Sequence, residues 1–219
     1  VAFKSDVAVL TNSPLAFSKN VQIDEGVRKT TAQAAYVQYD QSKANVKFVE
    51  LREQVQMESR STAPGSIKMM KAREIDLNYE EESGLLNQVN LLGDSEIVLA
   101  GSKRNAGEHI FAESIDVSLV AGEGLITLLE ARGQVKLDLP NGDTESIRQV
   151  RAGLMTSVGE DTRGLTKLEF VENVEFRSLR SVADDQQDFV ATADRLETSV
   201  AGRLGAMNTA RFTGHVVFS

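Results

Sequence analysis

The chain holds two histidines, His109 and His215, far apart in sequence, and no cysteine. Glu108-His109 with Glu113 offers donor types that divalent metals take. A metal site needs further donors at workable spacing, however, and no second histidine lies near. The plainer reading of each histidine is a solvent-facing strand residue; His215 alternates with Val216 and so faces outward. Glu80-Glu81-Glu82 beside Ser83-Gly84 could gather Ca²⁺, but the alternating Asp/Asn ligands of a calcium loop are missing. A solvated turn fits it better. Gly122-Glu123-Gly124 is not followed by Gly-Lys-Ser/Thr, so it serves a turn and not a phosphate. Serine and threonine are numerous, but no nucleophile elbow precedes a helix. Without cysteine there is no disulfide, thiol chemistry or thiolate metal site. The expectation is no enzyme, no metal and no cofactor.

The apolar residues carry more information. Val55, Met57, Ile75, Leu77, Ile97, Leu99, Ile115, Val117, Val135, Leu137, Val174, Phe176, Val216 and Phe218 recur at every second position, all but Leu99 beside a polar neighbour. Such stripes can fill the core of a closed sandwich. They can equally line a groove for acyl chains, where burial contributes about 0.8 kcal/mol per CH₂. Both arrangements need the same alternation, so the residues leave both open.

The elements that must carry these stripes are strands. Ala131-Arg132-Gly133-Gln134-Val135-Lys136-Leu137 has the period of two that belongs to a strand with one dry and one wet face. The phrase returns as Leu51-x-Glu53-x-Val55-x-Met57, Phe170-x-Glu172-x-Val174-x-Phe176 and Phe212-x-Gly214-x-Val216-x-Phe218. Leu91-x-Gly93-x-Ser95-x-Ile97-x-Leu99 is a looser, longer copy, and Phe17-x-Lys19-x-Val21-x-Ile23 a candidate further one. Key positions 55, 97, 135, 174 and 216 are 42, 38, 39 and 42 residues apart. A second phrase precedes each copy: Ala34-x-x-Val37-x-Tyr39, Ala72-x-x-Ile75-x-Leu77, Ala112-x-x-Ile115-x-Val117, and weaker ones from Ala152 and Ala193. Those alanines are 38, 40, 40 and 41 apart. A fixed period of this length signals a repeat architecture whose units stack because none closes a core alone.

The expected fold is all-β: a repetitive antiparallel sheet of about twelve to sixteen strands. Residues 1–33 are read as irregular amino-terminal strands packing on a repeat domain over 34–219. Its units are 34–57, 67–99, 110–139, 147–176 and 189–218. Turns are expected at Asn12-Ser13-Pro14, Asp40–Ala44, Glu80–Gly84, Ala121–Gly124, Pro140–Asp143, Gly159–Gly164 and Ala201–Gly205. Leu179–Asp188 reads as a short helix or a loop. Gly93, Gly133 and Gly214 sit in mid-strand, where glycine marks a bend or bulge. The sheet is therefore expected to fold over at that level, each long strand serving two facing walls. With 24 basic and 32 acidic residues the net charge is −8, which argues against nucleic acid as a partner. No apolar run approaches the roughly 18 residues that span a bilayer. The chain begins at Val1, which leaves room for a removed amino-terminal signal or anchor.

The alanine phrases (Ala72-x-x-Ile75-x-Leu77-x-Tyr79, Ala112-x-x-Ile115-x-Val117) and the Gly-x-Val phrases (Gly133-Gln134-Val135, Gly214-His215-Val216) resemble the OstA-like lipopolysaccharide-transport family, the LptA, LptC and LptD amino-terminal group. Glu53-Gln54-Val55 and Glu172-Asn173-Val174 read as degraded versions. The resemblance covers roughly 34–219. It implies an open, V-shaped β-jellyroll, or β-taco, with lipid acyl chains between apolar walls. It also implies domains joined edge to edge across the periplasm. The chain departs from the family in its longer, more regular repeats and in showing no membrane anchor. The resemblance implies a non-enzymatic periplasmic protein that passes lipopolysaccharide, or a similar acyl-chain lipid, along the groove formed by the stripes above. Partners would be other β-jellyroll transport proteins, or a second copy, edge to edge. The alternative is a structural or adhesive β-repeat scaffold with a closed core.

Overall fold

The computed structural model describes residues 2–9, 14–40, 42, 45–61, 63, 65–101, 107–122, 124–140, 146–182, 185–200 and 207–219. Its strands are β1 (Ala2–Lys4), β2 (Val7–Val9), β3 (Leu15–Asp24), β4 (Arg28–Asp40), β5 (Asn45–Ser59), β6 (Ile67–Tyr79) and β7 (Leu86–Leu99). They continue as β8 (His109–Leu119), β9 (Ile126–Pro140), β10 (Ser146–Glu160), β11 (Gly164–Val182), β12 (Asp185–Val200), β13 (Met207–Thr213) and β14 (Val217–Phe218). All fourteen belong to one antiparallel sheet, and β3 to β12 follow one another in chain order. The sheet's two ends do not pair, so it is not closed into a barrel. Among the described residues no helix is long and apolar enough to cross a membrane.

The long strands exceed the usual strand length because each one turns a corner. The ladder between β9 and β10 breaks between Ala152 and Leu154, and that between β5 and β6 between Arg52 and Val55. At each such break the odd-numbered strand carries two consecutive residues of positive φ. These pairs are Lys19-Asn20, Glu53-Gln54, Gly93-Asp94, Gly133-Gln134 and Glu172-Asn173, and Gly214-His215 repeats them between β13 and β14. The first position needs a left-handed backbone, which glycine adopts freely. The second is filled mostly by Asn, Asp or His, the side chains that best tolerate this region. Glu53 and Glu172 are thus working copies of the glycine corner and not degraded ones.

The corners align into a fold line, and the sheet doubles over along it into a front and a back wall. The front wall takes the first halves of odd strands and the second halves of even ones; the back wall takes the rest. β2 and β13 complete the front wall. β1 and β14 complete the back wall. On both sides of each corner the alternating apolar residues point into the space between, as in two sheets packed face to face. That space is the core: Leu51, Val55, Ile75, Leu91, Ile97, Ile115, Leu129, Val135, Met155, Phe170 and Leu196 are all essentially fully buried.

The register corrects the repeat phasing. Ala72, Ala112, Ala152 and Ala193 pair with Val55, Ser95, Val135 and Val174. The equivalent residue of β4 is Ala32, not Ala34, because Thr31 pairs with Gln56. Ser95, not Ile97, likewise stands where Val55 and Val135 stand. With Ala32 in place the alanine spacings become 40, 40, 40 and 41. The expected phasing slipped because side chains alternate with period two, so a shift of two residues leaves every residue on its own face. Within 1–33, read as irregular strands packing on the repeat domain, β1 to β3 and the start of β4 belong to the same sheet, and β3 carries the same corner at Lys19-Asn20. Leu179–Asp188 forms neither helix nor loop over its described length: β11 continues to Val182 and β12 starts at Asp185. The turns at 81–83 and 161–163 stand where expected. The expected turns over Asn141–Asp143 and Ala201–Gly205 lie outside the described residues, as do parts of those at 12–14, 40–44 and 121–124.

Candidate functional site

Twelve of the fourteen stripe residues meet in the space between the walls. Val55, Met57, Ile97, Leu99, Val135, Leu137, Val174 and Phe176 line the back wall, and Ile75, Leu77, Ile115 and Val117 the front wall, none more than 7% exposed. Val216 and Phe218 follow the last corner and keep the inward phase, but they are 38% and 60% exposed. Phe218 pairs at Ala191, and no further strand covers it among the described residues. Leu51, Leu91, Ala131 and Phe170 open the strand phrases but are not among the stripe residues, and the sequence reading missed their partners Val49, Val89, Leu129 and Leu168; all are buried on the front-wall halves of the odd strands. The signal was there, since these pairs precede each corner in the same alternation. The two extra corner residues carry that phase from one wall to the other.

The interior is aliphatic along its length and aromatic at its ends. At the amino-terminal end Phe3 of the back wall stacks on Phe17 of the front wall, ring centroids 5.0 Å apart. At the other end Phe176 and Phe212 meet across the walls at 6.0 Å, and Phe189 and Phe218 extend the cluster. Small residues make room for these rings, with Ala191 fully buried between the rows of Phe176 and Phe218.

Three buried hydroxyls between the walls bond backbone carbonyls. Ser157 Oγ donates to Lys167 O at 2.8 Å, Thr198 Oγ1 to Thr209 O at 2.6 Å and Ser95 Oγ to Glu113 O at 3.3 Å. Each satisfies a neighbouring strand's carbonyl. Glu108 is buried, and burial pushes its carboxyl up to about 7. It lies at the back-wall rim where β8 begins, its carbonyl accepting from Leu99 N at 2.9 Å.

The residues considered for metal chemistry do not assemble. His109 Nδ1 is 4.0 Å from Glu96 Oε1 and its ring tilts against Phe111. Glu113 sits on the fold line, where Gln134 Nε2 donates to its Oε1 at 3.0 Å. His215 lies exposed on the same line, Nδ1 2.8 Å from Asp194 Oδ2. Among the described residues no group of three or more His, Cys, Asp or Glu is placed to hold a metal ion. On the outer face of the front wall, Arg52 bonds Asp76, Arg132 bonds Asp116, and Arg195 bridges Glu169 and Glu197. The pairs Arg52–Asp76, Arg132–Asp116 and Arg195–Glu169 cross between strands and tie neighbours together.

No protein-family model matches the chain, and no curated protein matches its sequence.

Proposed function

We propose that the chain is a non-enzymatic lipid carrier of the periplasm, holding the acyl chains of lipopolysaccharide or a similar lipid between its two walls. One observation carries the reading: an apolar interior runs through every repeat, inside a sheet joined along only one side. A sheet folded over in this way can part along its open side without breaking a ladder, which a barrel cannot do. Burial of a hydrocarbon chain there would draw on the transfer free energy that otherwise packs the walls together.

The partner is another sheet edge. β3 to β12 cross both walls, and two short strands complete each, so each wall has twelve strands. With an even number of alternating strands the two edges of a wall run in opposite directions. β13 of one copy can therefore pair antiparallel with β2 of the next, and β14 with β1, continuing the pattern. Jellyroll domains of the same build would fit equally.

A second reading has its own support. The interior is filled by side chains, as a closed scaffold requires, and a lipid must displace wall–wall contacts to enter. Titration with a fluorescent fatty acid, followed by displacement with lipopolysaccharide, separates the two. Saturable, displaceable binding supports the carrier, and none at any concentration supports the scaffold.

A further inference from the structure

Opposite the fold line the free margins of the two walls face each other as a mouth. Tyr79 closes the front-wall half of β6, and its side chain points inward against the core. Glu25 lies just past β3, on the back-wall margin. Tyr79 Oη donates to Glu25 Oε1 at 2.8 Å across the mouth. Arg28 adds an ion pair to Glu25, Nε to Oε2 3.0 Å but not aligned as a hydrogen bond, and the Glu25 side chain is 9% exposed. Burial, and next the neighbouring Glu25 carboxylate, push the Tyr79 phenol far up, so it remains a donor throughout the physiological range.

Beside this contact, just inside the margins, is a cavity of about 210 Å³. Val27, Arg28 and Met57 line it from the back wall, Leu86, Leu119 and Gly122 from the front. Leu86 is the ladder partner of Tyr79, so the cavity and the contact share a strand pair. The interior is thus stoppered by wall-bridging phenylalanines at both ends and spanned by one buried polar contact at this point of its open side.

We infer that Tyr79, Glu25 and Arg28 form a clasp that holds the mouth shut, and that an acyl chain enters sideways through it into the adjoining cavity, not through the aromatic ends. The inference rests on the carrier reading for its ligand but not for its geometry. Aliphatic margins part at little polar cost, whereas the clasp must give up a buried, charge-assisted hydrogen bond. Its release sets how often the mouth opens.

The test uses Tyr79→Phe, which keeps the ring and removes the donor, with Phe3→Leu as the control at one end. The chain has no cysteine, so spin labels on Val27→Cys and Ser83→Cys report the gap between the margins directly. Tyr79→Phe should lengthen or broaden that distance and speed uptake of a polyene fatty acid roughly three- to tenfold, the scale of one lost hydrogen bond. Phe3→Leu should change neither. An unchanged distance in Tyr79→Phe overturns the clasp, whether or not the protein binds lipid. Faster uptake in Phe3→Leu alone overturns sideways loading. A widened mouth with no uptake by any form leaves the clasp standing and removes the carrier reading together with the loading step.

Discussion

Glu113 lies over Gly133 on the fold line, its carboxylate bonded to the side chain of the next residue, Gln134, at 3.0 Å. The arrangement shows what the corner demands. The odd strand must go left-handed twice, and the even strand lays one side chain across the gap. At Gly93 that side chain is Arg73, at Gly214 it is Asp194, and Gly153 reverses the roles by lying beneath Glu172.

Corner residues without glycine should therefore be improvable. Glu53 and Glu172 hold φ of 61° and 70°. Replacing either with glycine should raise stability by roughly 0.5–1 kcal/mol, because the left-handed strain outweighs the entropy glycine adds to the unfolded chain. Gly133→Ala should lower stability by about 1 kcal/mol, mostly from φ, since Glu113 can swing aside. Denaturant midpoints at constant slope would check both.

Glu108 should make stability depend on pH. Burial raises its carboxyl from 4.5 to about 7, so the folded state binds its proton more tightly than the unfolded one. Its contribution is fully present below the unfolded value and is lost as pH rises through about 7. Glu108→Gln should abolish that loss, leaving the variant more stable than the parent at pH 8 by on the order of 2–3 kcal/mol. Parallel melts at pH 5 and pH 8 would show it. Equal pH dependence in both proteins would refute it.

The core should be intolerant on both walls alike. Ile115→Ala on the front wall should cost about 2–5 kcal/mol through the cavity it leaves. Val135→Glu on the back wall should cost at least as much, since an unpaired charge would be buried. Lys136→Gln, one residue away and facing out, gives up an exposed ion pair with Asp138 and a contact over the Phe111 ring and should cost about 1 kcal/mol or less. Thermal unfolding of the three variants gives the ranking.

Edge pairing should make association depend on β13. Asn208 and Ala210 are exposed there, and lysine at an edge strand opposes pairing. Sedimentation velocity over a wide concentration range should show the parent associating and Ala210→Lys remaining monomeric. A parent that stays monomeric at high concentration contradicts the proposed partner.

The fold was legible where alternation and glycine spoke together. Gly93, Gly133 and Gly214 announced the fold-over, and Val135, Leu137, Val174 and Phe176 announced one dry face. Illegible were features to which period two is blind. A slip of two residues hid Ala32 and Ser95, and non-glycine corners disguised Glu53 and Glu172. The clasp left no trace either, since Tyr79 and Glu25 are 54 residues apart and no pattern joins them. Whether the interior admits a guest depends on the free energy of parting the walls, which alternation does not encode.

The most direct measurement places a photoreactive leucine-sized residue at Leu137, inside, and separately at Lys136, outside, in chains with parental circular dichroism. After incubation with lipopolysaccharide and irradiation, the account predicts a lipid adduct at 137 and little or none at 136. No adduct at 137, or equal adducts at both positions, would contradict a lipid held between the walls.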